Sequence, residues 1–170
     1  MIELPASSSR TRVFEIASTF LTDWGFRVVD EDLRRPWGGF FVVDEAHCAD
    51  FVASFFPDAD EVPPADGRKR NPKLLLVAPG KRLSWQYHAR RSELWRVLGG
   101  EVGVAISSTN EQPPPRRLRT GDMARIGVGE RHRLIGLETW AAIAELWEHT
   151  DPKHPSDEED IVRIQDDFGR

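Results

Sequence analysis

Gln86, His88, Glu93 and His132 are the residues of this sequence whose types and spacing point to chemistry. The first three lie in GKRLSWQYHARRSELWRVLGG, the fourth in GDMARIGVGERHRLIG. In an extended strand alternate side chains share a face, so Gln86 and His88 are expected to point into one cavity. Glu93 follows a short turn-prone stretch, from which a returning strand would present it beside them. His132 belongs to a separate hairpin, and only a closed sheet would bring it opposite. Three or four N/O donors with an open position describe a catalytic divalent-metal site rather than a sealed structural one. Zinc is the leading expectation for the ion; Mn, Fe, Co and Ni also suit mixed N/O donors. A single histidine is usually a packed or surface residue, so the weight falls on the four together.

The elements that must hold these residues are legible from periodicity. RTRVFEIASTFLT (10–22) places Val13, Ile16, Ala17, Phe20 and Leu21 on one helical stripe closed by Gly25. FRVVDEDL reads as a strand, leading to a bend at Pro36 and the glycine pair of RRPWGGFFVVDE. EAHCADFVASFF (45–56) has helical spacing and stops at Pro57, and PDADEVPPADGRKRNPK reads as an exposed loop. From Lys73 the texture becomes β: KLLLVAPG, RLSWQYHA, and ELWRVLGGEVGVAIS split by Gly99–Gly100. NEQPPPRR interrupts the sheet, since three prolines cannot serve a central ladder, and Arg116, Arg117 and Arg119 are expected in a solvated loop. RLRTGDMARIGVGERHRLIG supplies two more short strands. TWAAIAELWEH favours helix on propensity alone, yet its place after the second cluster argues for a strand. Short strands with Gly/Pro punctuation predict a sandwich or barrel.

Composition bounds the rest. A length of 170 residues with 39% hydrophobic content suits one domain with one core. A net charge of -5 leaves no basic footprint for nucleic acid. Cys48 is the only cysteine, so no intramolecular disulfide can form. No signal-peptide pattern or membrane span is apparent, and a cytoplasmic protein is expected.

The spacing Gly80, Gln86, His88, Glu93, Gly100 resembles the first cupin motif, with Gln where many members have His. Gly121, Gly129 and His132 resemble the second, with Gly127 in place of the usual Pro and Gly136 in place of the later Asn. More narrowly, RPWGGFFVVDE, APGKRLSWQYHARRSELW, GVGERHRL and EEDIVRIQDDFGR are similar to the cupin domain of type II phosphomannose isomerases. The similarity covers residues 34–45 and most of 73–170. It implies a mainly β fold, a double-stranded β-helix (jelly-roll barrel) with short N-terminal helices. Residues 1–30 would form a helical extension, 46–72 a helix and loop insertion, 73–150 the barrel core and 151–170 a tail. It further implies metal ligands at Gln86, His88, Glu93 and His132, and, by analogy, a homodimer.

The implied activity is metal-dependent aldose–ketose isomerisation of a phosphosugar, mannose 6-phosphate to fructose 6-phosphate, through an enediol. Such a reaction needs a base, charge stabilisation on oxygen and a grip on the phosphate. Glu145 alternates with Ile143 and Trp147 and is the candidate base; Lys81 and Glu148 are its rivals. Lys81, Arg82, Arg133, Arg163 and Arg170 form the pool for the phosphate, with the tail similarity favouring Arg163 and Arg170 at the mouth. The rivals are an isomerase for another phosphosugar such as a heptose phosphate, a non-catalytic sugar-binding cupin, and an iron-dependent dioxygenase. Gln86 argues against the last, whose sites favour histidine-rich or His/carboxylate sets.

Overall fold

The computed structural model describes residues 1–57 and 69–169. Helix α1 (Arg10–Asp23) begins where the Ser9 side chain accepts from the Arg12 backbone N–H, and it buries Val13, Phe14, Ala17 and Leu21. Gly25, at φ 76°, turns the chain out of it. Helix α2 (Cys48–Phe55) follows a single 3-10 turn and buries Phe51 and Phe55, one helical turn apart. Both helices fall where the spacing predicts. No helix among the described residues is long and apolar enough to cross a membrane.

The strands, numbered in chain order, form two antiparallel sheets. One holds, from edge to edge, β1 (Val28–Asp32), β2 (Gly38–Val43), β3 (Arg70–Val77), β10 (Ala141–His149), β5 (Arg91–Gly99) and β8 (Met123–Ile126). The other holds β11 (Ile161–Gln165), β4 (Trp85–His88), β9 (Arg131–Gly136), β6 (Glu101–Ser107) and β7 (Arg116–Arg119). TWAAIAELWEH is thus a strand, as its position argued, and a central one. Residues 116–119 form an edge strand rather than a loop, and 116–136 carry three strands rather than two.

The expected closed barrel is not formed. Each sheet is open, ending at β1 and β8 or at β11 and β7. Closure would require backbone pairing between these edges. They are short and charged: β1 carries Asp30, Glu31 and Asp32, and β7 reads Arg116-Arg117-Leu118-Arg119. Such edges resist further pairing. The mainly β class with N-terminal helices stands; the rolled topology does not.

Instead the sheets pack face to face. Leu75, Val77, Trp95, Val97 and Ile143 of the larger sheet meet Val102, Val104, Leu118 and Leu134 of the smaller. The outer face of the larger sheet, with Leu74, Leu76, Leu94, Leu98 and Leu146, is covered by Phe14, Leu21, Phe51 and Phe55 of the helices. β10 is therefore covered on both sides, and all nine of its residues are buried. Gly136 has a local reason too: a Cβ there would lie 2.1 Å from the Ala78 carbonyl oxygen.

Candidate metal centre

The site lies between the sheets, and register fixes which side chains share it. In the smaller sheet Gln86 is the cross-strand partner of Arg163 on one side and of His132 on the other. Directly paired residues point to the same face, and His88, two residues on, joins them. In the larger sheet Lys73, Glu145 and Trp95 form one row across β3, β10 and β5; Trp147 and Glu93 are partners in the next. The sequence placed His132 opposite the other ligands. In the structure Glu93 is the residue from across, and both histidines come from one sheet.

His88, Glu93 and His132 converge. One potential ligand atom from each lies within 4.8 Å of the others, and each side chain is at most 2% exposed. His88 Nε2 is 3.1 Å from Glu93 Oε1, and His132 Nε2 is 3.6 Å from Glu93 Oε2. The imidazole rings are 4.9 Å apart. Backbone carbonyls orient both rings: His132 Nδ1 lies 3.0 Å from Glu130 O, and His88 Nδ1 3.4 Å from Asp160 O. A carbonyl only accepts, so Nδ1 carries the proton and Nε2 turns its lone pair inward. His132 Nε2 has no hydrogen-bond partner among the described residues. An orphaned inward lone pair, a second imidazole and a carboxylate fit a divalent cation. The triad is able to coordinate a divalent metal ion, which supports a metal-dependent activity.

Gln86 and Arg91 qualify that fit. Gln86 Oε1 accepts from Ser84 Oγ, so its amide nitrogen faces His88 Nε2 at 3.5 Å. Only a half-turn of the amide would offer oxygen to an ion. Arg91 donates from Nε to Glu93 Oε1 at 2.8 Å and from Nη2 to His88 Nε2 at 3.0 Å. The guanidinium thus bridges two of the three donors, and an ion binding there requires it to release His88.

Electrostatics follow from burial. Burial alone would raise the Glu93 pKa, but Arg91 and His88 outweigh it and hold this carboxyl well below the usual range. Burial lowers His132 to about 4, against the pull of Glu93, so the ring is neutral and free to ligate. Burial and then the negative charge of Glu93 raise Glu145 to about 8, despite Lys73, Arg91 and the Trp95 indole N–H.

A cavity opens beside the triad. It holds about 510 Å³ of free space, counting its mouth. Gln86, Arg91 and Glu93 form the wall nearest the triad; Trp37, Phe40, Trp95 and Trp147 supply aromatic surface; Lys73, Glu145, Glu158, Arg163 and Arg35 add charge. Of the sequence candidates, Glu145 and Arg163 therefore reach the cavity. Lys81 is exposed and Arg82 is paired with Asp167. Arg133 is buried, with its bonds going to Gln112 and Gln165. These three do not line the cavity. Glu148 is buried among Ser92, Arg70 and Arg125. Arg170 lies outside the described residues, as does most of the loop expected after Pro57.

Sequence reasoning missed three residues. Arg91 stood in plain view beside Glu93. Lys73 lies within β3 just ahead of its apolar run Leu74–Val77, and it is buried, a position where a charge needs a reason. Asp160 closes an acidic run, Asp157 to Asp160, where solvent exposure is the ordinary expectation, yet it is buried. Its carboxylate accepts from the backbone N–H groups of Ala89 and Arg90 and from Ser156 Oγ. It thereby ties the tail to the turn that carries His88.

No protein-family model and no curated protein matches the sequence. Solved structures do share its fold. KdgF from Halomonas sp. matches with a TM-score of 0.51 at 16% identity, over 77% of this chain and 90% of its own. A variant of oxalate decarboxylase from B. subtilis matches with a TM-score of 0.55 at 14% identity, over 79% of this chain. Vicilin from Corylus avellana (hazelnut) matches with a TM-score of 0.55 at 13% identity, over 81%. The match spans only 30% of the decarboxylase chain and 34% of the vicilin chain. At these identities the likeness is one of fold alone, and it does not single out the phosphomannose isomerases.

Proposed function

We propose that this chain is a metal-dependent enzyme that moves a proton beside a polarised carbonyl. Its most specific form would be the aldose–ketose isomerisation of a phosphosugar, mannose 6-phosphate to fructose 6-phosphate. The observation that carries the reading is Glu145, a buried carboxyl raised to about 8 that lines one cavity with Glu93 of the triad. Such a group can release and take back a proton near neutral pH, which is the demand on a general acid–base catalyst. His88, Glu93 and His132 would hold the ion, with the Gln86 amide beside them. A bound divalent cation would supply Lewis-acid polarisation of the substrate's carbonyl and neighbouring hydroxyl. Trp95 donates its indole N–H to Glu145 Oε1 at 3.0 Å and fixes the carboxyl's orientation. The aromatic walls exclude water from the transferred proton.

One contact favours a second reading. Because Arg91 bridges His88 and Glu93, the chain could be a binding module in which a guanidinium stands where the ion would sit. The two are separated by metal analysis followed by incubation with aldose and ketose phosphates in deuterated water. Metal bound through His88, with deuterium entering a substrate C–H in the wild type but not in Glu145→Gln, is the result expected. A protein that takes up no metal, or binds sugar phosphate without exchange, is the binding module.

A further inference from the structure

The cavity wall away from the triad holds hydrogen-bond donors that lack acceptors. Lys73 is only 6% exposed and makes no hydrogen bond among the described residues, although the carboxylates of Glu145 and Glu158 act on its charge. Its contacts are with aromatic faces, Nζ lying 3.2 Å from the centre of the Trp147 ring and 5.0 Å from that of Phe40. Trp147 Nε1 and Arg163 Nε are likewise buried without acceptors. All three residues line the one cavity. A buried donor without an acceptor forfeits its hydration, so two such N–H groups beside an ammonium describe the complement of an absent ligand. What the two N–H groups lack is oxygen lone pairs. Arg35, the other cation of this wall, is already ion-paired to Asp32 and Glu158.

The geometry points to an oxyanion subsite formed by Lys73, Trp147 and Arg163, which takes the carboxylate or phosphate end of a small substrate. Lys73 supplies the charge, the Trp147 indole N–H a directional bond, and Arg163 a second cation from the tail strand. The cavity's limited interior holds one such group, with the rest of the substrate extending toward Glu145 and the triad. This deepens the function proposed above by naming the residues that hold the substrate's anionic end, and it rests on that reading only for the chemistry at the other end. It keeps Arg163 of the tail in the expected phosphate grip and adds Lys73 from within β3.

Calorimetric titration with inorganic phosphate and with acetate at pH 7, with and without a chelator, tests it. Wild-type protein should bind at least one probe, chelator or not. Lys73→Met should weaken that binding by about tenfold or more, Lys73→Arg should retain most of it, and exposed Lys153→Met should leave it unchanged. In wild-type protein labelled at lysine Nζ, the Lys73 ammonium resonance should shift with the probe, a readout that survives if Lys73→Met does not fold. Tighter phosphate binding identifies a phosphorylated substrate and tighter acetate binding an organic acid; either supports the subsite. Binding of neither probe, equal binding by Lys73→Met, or a Lys73 resonance that the probe leaves in place overturns it. Binding that vanishes on chelation overturns it too, while leaving the metal reading intact. The His88→Ala variant separates the two proposals from the other side, since it should lose metal and keep the anion.

Discussion

The two faces of β10 are built to different ends. On one, Ala142, Ala144 and Leu146 join α1 and α2 in an apolar layer that gives way at Glu148 to charge pairs with Arg70 and Arg125. On the other, Ala141 and Ile143 continue into the inter-sheet core, but Glu145 and Trp147 open into the cavity. Burial is equally complete on both. The outer face turns that burial into stability, because apolar area removed from water is favourable. The inner end turns it into chemistry. There burial raises Glu145, lowers His132 and Lys73, and leaves donors waiting for a ligand.

The harshest way to break this division is to remove the carboxylate that balances the inner end. Glu93→Leu leaves the Arg91 guanidinium buried without its counter-ion, a loss of about 3–5 kcal/mol, and removes a metal donor. Urea denaturation should show the first effect and metal titration the second. If Arg91→Met added to Glu93→Leu restores stability but not metal binding, the pair exists for the site. Were Glu93→Leu harmless to both, the inner end would be ordinary core.

Next comes the outer face. Leu74→Ala, at a fully buried position beneath the helices, should cost about 3 kcal/mol through lost burial and a residual cavity. Its metal affinity, measured on folded protein, should match the wild type. A change there would show that the two faces are coupled through β3.

These contrasts mark what the sequence could and could not disclose. Gln86, His88, Glu93 and His132 were legible because a strand's two-residue period and a hairpin's return are local. Which sheet each belongs to was not, so Glu93 and His132 exchanged expected places. β10 gave no alternation to read, being covered on both faces. The barrel failed because edge pairing depends on how short, charged strands avoid one another, which no window of sequence records. Lys73, Arg91 and Asp160 escaped notice because each acquires meaning from partners on another element.

Asp160 tests the tail's share in the centre. Asp160→Ala deletes acceptors for two backbone N–H groups and a hydroxyl, with an expected loss of about 2 kcal/mol. The turn carrying His88 would loosen, and metal affinity should fall about 10–100-fold, as for other groups that orient ligands. Ser156→Ala, which removes only one of these bonds, should do less. An Asp160→Ala protein with full metal affinity would confine the tail to covering the cavity.

The gentlest probe is pH, applied to metal-free protein. Glu145 is raised from 4.5 to about 8 in the fold, so between these values the folded state holds a proton that the unfolded chain releases. Its contribution to stability is complete below about 4.5 and is lost as pH rises through about 8, at no more than about 1.4 kcal/mol per pH unit. His132 runs the other way. Lowered from 6.5 to about 4, it contributes stability above 6.5 that is lost as pH falls toward 4. Between about 4.5 and 6.5 the two slopes oppose each other; from 6.5 to 8 only the decline from Glu145 remains of the pair. The stability of wild type minus that of Glu145→Gln, followed by urea denaturation, should therefore fall steadily from pH 4.5 to 8 and then level. A difference that stays flat across this range would mean that Glu145 titrates like a solvated carboxylate. The inner end of β10 would then hold no proton to give.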